Sequence, residues 1–390
     1  MKKLEYVDAL RGLAILGVIM IHTNYYGKSD LPHIIKGIVE EGGRGVQLFY
    51  LASAFTLFLS FKSRLLKEKS PIRNFFLRRF FRIAPLYYLG IAYYLFQDGF
   101  GARHWLGDET HITGLNILSN ATFLHGFNAH WINSIVPGGW SIAVEMTFYA
   151  VLPFLFSKIK SLNQAFNFFM ISLILKSALQ LFFIQFPLVC DLVLWNDFLF
   201  FYFPSQLPVF ALGIIFYFIV IEKESMRSIS GKSILIFSGL LLAQLATGTE
   251  IIFQNHILFS IGFLLLGFAL STYRFKMIVN PIINYIGKIS YSMYLVHFAV
   301  LHWLTQFNYI NYSDNGILNY AMRYCIVLAL TIIFSAFLYK IIELPFQDIG
   351  KRLIIRLEKS DAQTHRRNPI SSWLTLLTSA QRQKRVSGIR

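Results

Sequence analysis

The chain has 390 residues, 55% of them hydrophobic and only 14% charged, where a soluble domain carries about 25%, and its mean hydropathy is +0.52. There is too little polar surface to cover a water-soluble globule of this size, which excludes a soluble enzyme, a disordered chain, a collagen-like repeat and a disulfide scaffold. The formal net charge of +16 invites a nucleic-acid reading only if the basic residues cluster on a binding motif, and they do not.

About ten apolar runs approach the 17–25 residues that cross a bilayer, near 10–26, 45–61, 80–97, 140–157, 166–186, 198–221, 233–247, 255–272, 282–306 and 318–341. The first is interrupted by Asp8 and Arg11 and is followed by no small-residue cleavage site, so it is expected to stay in the mature protein. Lys62, Arg64, Lys67, Lys69, Arg73, Arg78, Arg79 and Arg82 fill the connection between the second and third runs. Alternate connections continue with Lys158 and Lys160, then Lys223, Arg227 and Lys232, then Arg274 and Lys276, while 187–197, 248–254 and 307–317 contain neither Lys nor Arg. The positive-inside rule then puts both termini in the cytoplasm. The expectation is an all-α polytopic membrane protein, a bundle of about ten transmembrane helices. It divides into a transmembrane domain over 1–350 and a basic cytoplasmic tail over 351–390, which includes Arg366-Arg367 and Arg382-Gln383-Lys384-Arg385 and suits anionic lipid. The longest outer segment, 98–139, is the one large enough for a lid or substrate surface.

Ionisable residues inside spans are functional candidates by default. In the first run Arg11 and His22 are eleven residues apart, about three helical turns, so they share one face roughly 16 Å apart along the axis. Arg11 read alone is also a snorkelling anchor, and His22 a hydrogen-bonded core histidine. Glu145, His297, His302 and Arg323 fall at depths similar to His22, where an acid beside histidines suits holding a ring basic and oriented; ion pairing that merely knits the bundle is the bland alternative. Arg79 and Arg82, three apart, share a helix face and suit a phosphate group, although read alone plain positive-inside charge is the better account of them. The outer-loop residues His104, His111, His125 and His130 match no zinc spacing, Cys190 and Cys325 form no framework, and Lys176 stands unexplained in mid-span. No metal site is expected. No Walker motif, dinucleotide fingerprint or Gly-x-Ser-x-Gly elbow occurs.

Five blocks in order carry a family resemblance over most of residues 4–350. They are Tyr6-Val7-Asp8-Ala9-Leu10-Arg11 through His22; Gly45-Val46-Gln47-Leu48-Phe49 with Ser53-Ala54-Phe55; Arg79-x-x-Arg82 with Pro85; Trp140-Ser141 with Glu145, Phe148-Tyr149 and Pro153; and Gly287-Lys288-Ile289-Ser290-Tyr291-Ser292-Met293-Tyr294-Leu295-Val296-His297, with Glu343-x-Pro345 near the end. In these the chain resembles the acyltransferase-3 family of integral membrane acyltransferases, O-acetylases of surface glycans. Two departures stand out: Ala54 replaces the usual Gly, and Gln47 stands where an acidic residue is common.

The resemblance implies transfer of an acyl group, usually acetyl, from cytoplasmic acetyl-CoA to a hydroxyl of a cell-surface or lipid-linked carbohydrate. It implies no permanently bound cofactor, an acyl-CoA donor substrate, contact with membrane lipids and placement in the bacterial inner membrane. His22 would be general base or transient acyl carrier, with Glu145 orienting it or an acceptor hydroxyl. Arg11, Arg79, Arg82, Ser53 and Lys288 would hold the donor, and Trp140, Tyr291 and His297 would line the substrate path. Members often carry a C-terminal extracytoplasmic esterase-like domain, and this chain is expected to be a stand-alone version. The competing readings are N-acyl or succinyl transfer on the same scaffold, a glycan or lipid transporter or flippase, and a structural membrane subunit. The oligomeric state is not legible.

Overall fold

A computed structural model describes residues 4–107, 109–247 and 250–367. Among them the chain is helical, and its β pairing is a single bridge between Gly101 and His111. The helices are α1 Glu5–Tyr25, α2 His33–Glu40, α3 Gly45–Leu65, α4 Pro71–Asp98, α5 Gly114–Ala121, α6 Gly139–Lys158, α7 Leu162–Gln185, α8 Leu192–Phe201, α9 Phe203–Val220, α10 Gly231–Thr247, α11 Asn255–Thr272, α12 Pro281–Lys288, α13 Ser290–Gln306, α14 Gly316–Leu338 and α15 Leu344–Arg367.

Each apolar run of the sequence is helical, but among the described residues seven helical segments, fewer than the ten runs, are long and apolar enough to cross a membrane. They are Glu5–Tyr25, His33–Leu65, Gly139–Lys158, Leu162–Gln185, Leu192–Val220, Asn255–Thr272 and Gly316–Asp361. The three remaining runs depart for separate reasons. α4 has the length, yet its first half carries Arg73, Arg78, Arg79 and Arg82. α10 offers only the short apolar stretch Gly231–Leu241. The run near 282–306 breaks at Ile289 into α12 and α13. α12 starts sharply because Asn280 accepts from the backbone N–H groups of Ile282 and Ile283 and Pro281 opens its first turn. The run near 198–221 is likewise two helices, α8 and α9, meeting at extended Tyr202 with Pro204 in the first turn of α9.

Small residues set the centre of the bundle, since helices in a membrane associate through close backbone approach and van der Waals packing. On α1, Gly17 and Ala14 meet Gly42 and Gly45, and Gly12 meets the backbone of Ile283. A Cβ on Gly287 would strike the carbonyl of Asp8, so α12 lies directly on the α1 turn that carries Arg11. The Ala54 departure has its compensation across the α3–α9 contact, where Gly213 faces the Ala54 methyl. Gln47, the other departure, donates to Gln206 of α9 at 3.0 Å in the buried interior.

The start of α4 is held by α15. Glu358 accepts from the backbone N–H groups of Lys69 and Ser70 at 2.9 and 3.1 Å and from Asn74 at 2.7 Å, while Asp361 pairs with Arg73 at 3.0 Å. Residues 351–367 of the expected tail therefore continue a helix. Residues 368–390, with Arg382-Gln383-Lys384-Arg385, lie outside the described residues.

Candidate functional site

The basic cluster of α4 splits by helix face. Arg78 is taken up by Glu68 at 2.8 and 3.0 Å and Arg73 by Asp361. Arg79 and Arg82 turn inward to a cavity of about 80 Å³, reached also by Arg11 of α1. Arg79 lies 5.9 Å from the Phe75 ring and 5.8 Å from the Tyr149 ring, and its Nε is buried without a hydrogen-bond partner. Arg11 donates to Thr56 Oγ1 at 3.0 Å and sits 3.9 Å from Asp8. The cavity lining thus sets three guanidiniums against one carboxylate, Glu145, with Asp8 beside Arg11 as a second acid nearby, an excess of positive charge inside an apolar bundle that suits an anion.

Glu145 is held from two helices. Ser53 of α3 donates to its Oε1 at 2.5 Å, and Tyr149, one turn further along α6, donates to the same oxygen at 2.6 Å. Tyr291 of α13 also lines the cavity and donates to the Ile83 carbonyl of α4 at 2.7 Å. The far wall is Tyr294, which donates to the Gly138 carbonyl at 3.1 Å and accepts from Ser141 at 2.9 Å.

Behind that wall stand the histidines. Nδ1 of His22 lies 3.0 Å from Nε2 of His297, and His297 Nδ1 lies 3.1 Å from the Met293 carbonyl. His297 is fully buried and His22 half-buried. Phe298 packs on both rings, with centroids 4.4 and 4.1 Å away, and the Tyr294 ring centroid is 5.9 Å from that of His297.

The structure therefore gathers Arg11, Ser53, Arg79, Arg82, Glu145 and Tyr291 around one cavity and places His22 and His297 as a pair beside it. The partner of His22 is His297, not Glu145, whose carboxylate is engaged by Ser53 and Tyr149. Trp140 is outside the lining and backs it, packing on Tyr50 and Phe201 at 6.3 and 4.4 Å between centroids. Lys288 is also outside, exposed, with its ammonium 5.3 Å from the Tyr339 ring. Arg323 leaves the polar layer altogether: buried, it donates to the carbonyls of Thr23, Lys28 and Ile310 at 3.1, 3.2 and 3.2 Å and to the Ser29 hydroxyl. Lys176 is buried too and donates to the Ile251 carbonyl at 2.5 Å. Tyr149 and Tyr294 were given no role from sequence, though the four-residue spacing of Glu145 and Tyr149 signals a shared face.

These features define a multi-helix integral membrane protein with an arginine-lined interior cavity set against a histidine pair. The family model of the acyltransferase domain matches residues 4–340, and the chain belongs to this acyltransferase-3 family. A protein of Staphylococcus aureus (strain COL), provisionally named an O-acetyltransferase, is 27% identical over 393 residues, covering 90% of this chain and 58% of that protein. The O-acetyltransferase OatA of Staphylococcus aureus (strain MRSA252) is 23% identical over 391 residues, covering 92% of this chain and 59% of that protein. The chain thus spans about three fifths of the length of the curated relatives it matches. No solved structure matches it.

Proposed function

We propose that the chain moves an acetyl group from cytoplasmic acyl-CoA to a hydroxyl of a cell-surface or lipid-linked carbohydrate, in the cytoplasmic membrane of a bacterium with both termini inside. The observation that carries this is the arginine cavity, with three guanidiniums and the orphaned Nε of Arg79 at the end of α4 that follows the most basic connection of the chain. Its volume takes a phosphate-sized group, so Arg79, Arg82 and Arg11 hold donor phosphates and the pantetheine arm runs on past Tyr294 toward His22. Guanidinium forks match phosphate oxygens in charge and geometry.

At the histidine pair the acceptor oxygen attacks the thioester carbonyl. His22 accepts the hydroxyl proton, the C–S bond breaks, and the same proton passes to the departing thiolate. Transient acylation of His22 itself is the two-step version of the same transfer. Glu145 and its two hydroxyl donors fix the shape and charge of the path between the two places.

The test uses purified protein in nanodiscs with radiolabelled acetyl-CoA and an envelope-glycan acceptor. His22→Ala is expected to bind coenzyme A and transfer nothing, and Arg79→Ala to bind it weakly. Full activity in a folded His22→Ala protein overturns the histidine assignment. Failure of the wild type to bind or turn over any acyl donor, succinyl included, overturns the acyltransferase reading in favour of a transporter.

A further inference from the structure

The hydrogen-bond chain through the two histidines has only one direction open to it. It begins at the Met293 carbonyl, which accepts and never donates, so the Nδ1 of His297 facing it at 3.1 Å carries the hydrogen. No carboxylate pairs with either ring within 4 Å among the described residues, so nothing there compensates a cationic, doubly protonated imidazole. A neutral His297 with hydrogen on Nδ1 has a lone pair on Nε2. That lone pair faces His22 Nδ1 at 3.0 Å, which must then be the donor. A neutral His22 with hydrogen on Nδ1 in turn has its lone pair on Nε2, and the ring also meets the Val18 carbonyl one turn back on its own helix.

We propose that His297 is a positioning residue that fixes His22 as its Nδ1–H tautomer and so makes Nε2 of His22 the atom that meets the acceptor hydroxyl. This rests on the acyltransferase reading for its consequence, though not for the tautomer itself. The Nδ1–H form is the less favoured tautomer of imidazole in water, so an unassisted His22 would present N–H, not a lone pair, at Nε2 for most of the time. Phe298 packs against both rings, whose planes meet at 31°. The device is an outer partner fixing the tautomer and ring orientation of a working histidine, built here from a second imidazole and a helix carbonyl instead of a carboxylate.

The experiment is nitrogen NMR on histidine-labelled full-length protein in nanodiscs, with His22 assigned by its absence in a His22→Gln variant. The wild type is expected to show His22 protonated at Nδ1 and bare at Nε2. His297→Phe, which removes the acceptor, is expected to move His22 toward the Nε2–H form and to lower the transfer rate at saturating donor at least tenfold with donor KM little changed. His297→Gln, whose side-chain oxygen accepts the same hydrogen bond, is expected to restore much of the rate. A wild-type His22 protonated at Nε2, or a tautomer unmoved in His297→Phe, overturns the proposal. If His297→Phe does not fold, the wild-type spectrum decides alone. A protein that shows the expected tautomer and transfers no acyl group refutes the acyltransferase reading and leaves the tautomer assignment standing.

Discussion

Ser53 Oγ meets Glu145 Oε1 at 2.5 Å, tying α3 to α6 at the cavity, and Tyr149 donates to that same oxygen. Both hydroxyls converge on one carboxylate atom, which leaves Oε2 with no hydrogen-bond partner among the described residues. Glu145 is therefore oriented from one side and open on the other. Removing one charge-assisted bond by Ser53→Ala or Tyr149→Phe is expected to lower stability by about 1.5–3 kcal/mol. Glu145→Gln keeps the shape and removes the charge that offsets Arg11, Arg79 and Arg82, and is expected to slow transfer on the order of 100-fold with modest effect on melting. Melts in detergent beside label transfer check this, and a Glu145→Gln protein with wild-type rates would take the carboxylate out of the chemistry.

The division of the α4 arginines makes a sharper prediction. Arg79 and Arg82 line the cavity, whereas Arg78, one position away, is paired with Glu68. Losing one guanidinium–phosphate contact, about 1.5–3 kcal/mol for a charge-assisted bond, is expected to weaken coenzyme A binding by roughly 10–100-fold in Arg79→Ala and in Arg82→Ala. Arg78→Ala is expected to bind as the wild type does. Calorimetric titration of coenzyme A separates the three, and equal losses in all of them would mean that overall positive charge, not the cavity, attracts the donor.

How much of this was legible in the sequence differs by level. The helical character and approximate ends of the spans follow from uninterrupted apolar runs, and Arg11 and His22 stand on one continuous helix because nothing in Glu5–Tyr25 breaks the period. The breaks at Tyr202 and Ile289 were not legible: apolar residues flank both, and an apolar run does not distinguish one long helix from two that turn. Pro204 was the available signal for the first. Pairing across helices was harder still. Position along a span gives depth but not azimuth, so Glu145, His297, His302 and Arg323 all rank beside His22, and of these His297 meets it while the His302 ring packs on Trp303. The partners of Arg323 are backbone carbonyls, which every residue possesses and no sequence pattern marks.

Arg323 consequently belongs to stability. Its guanidinium gathers the chain after α1, the turn at Ile310 and the start of α14 into one clasp, and Gly27 beside it has φ +71°, where a Cβ would also meet the guanidinium. Replacing it by Leu leaves several buried neutral acceptors without donors, and a buried acceptor left unsatisfied costs about 1–3 kcal/mol. Arg323→Leu is expected to show this as a lowered melting temperature, with coenzyme A affinity per folded molecule unchanged. A loss of affinity in the folded fraction would instead tie the clasp to the donor cavity.

His125 gives the protein an acid limit that has nothing to do with transfer. It lies between α5 and α6, fully buried, with Nε2 3.1 Å from both the Gly139 carbonyl and the Tyr87 hydroxyl. Since the carbonyl only accepts, Nε2 carries the hydrogen and closes the first turn of α6, the helix of Trp140, Ser141 and Glu145. Burial lowers its pKa from 6.5 to about 4, against the opposing pull of its backbone hydrogen bonds. The unfolded chain therefore takes up a proton at His125 as pH falls through 6.5, while the folded protein does not until about 4. Folding loses stability across that window and the loss levels off below it. Its full size is on the order of 3 kcal/mol. Melting temperatures measured from pH 7 to pH 4 are expected to fall in the wild type and to fall less steeply in His125→Gln, which retains a side-chain N–H for the Gly139 carbonyl but has no proton to gain. Parallel curves for the two proteins would assign the acid sensitivity to other groups.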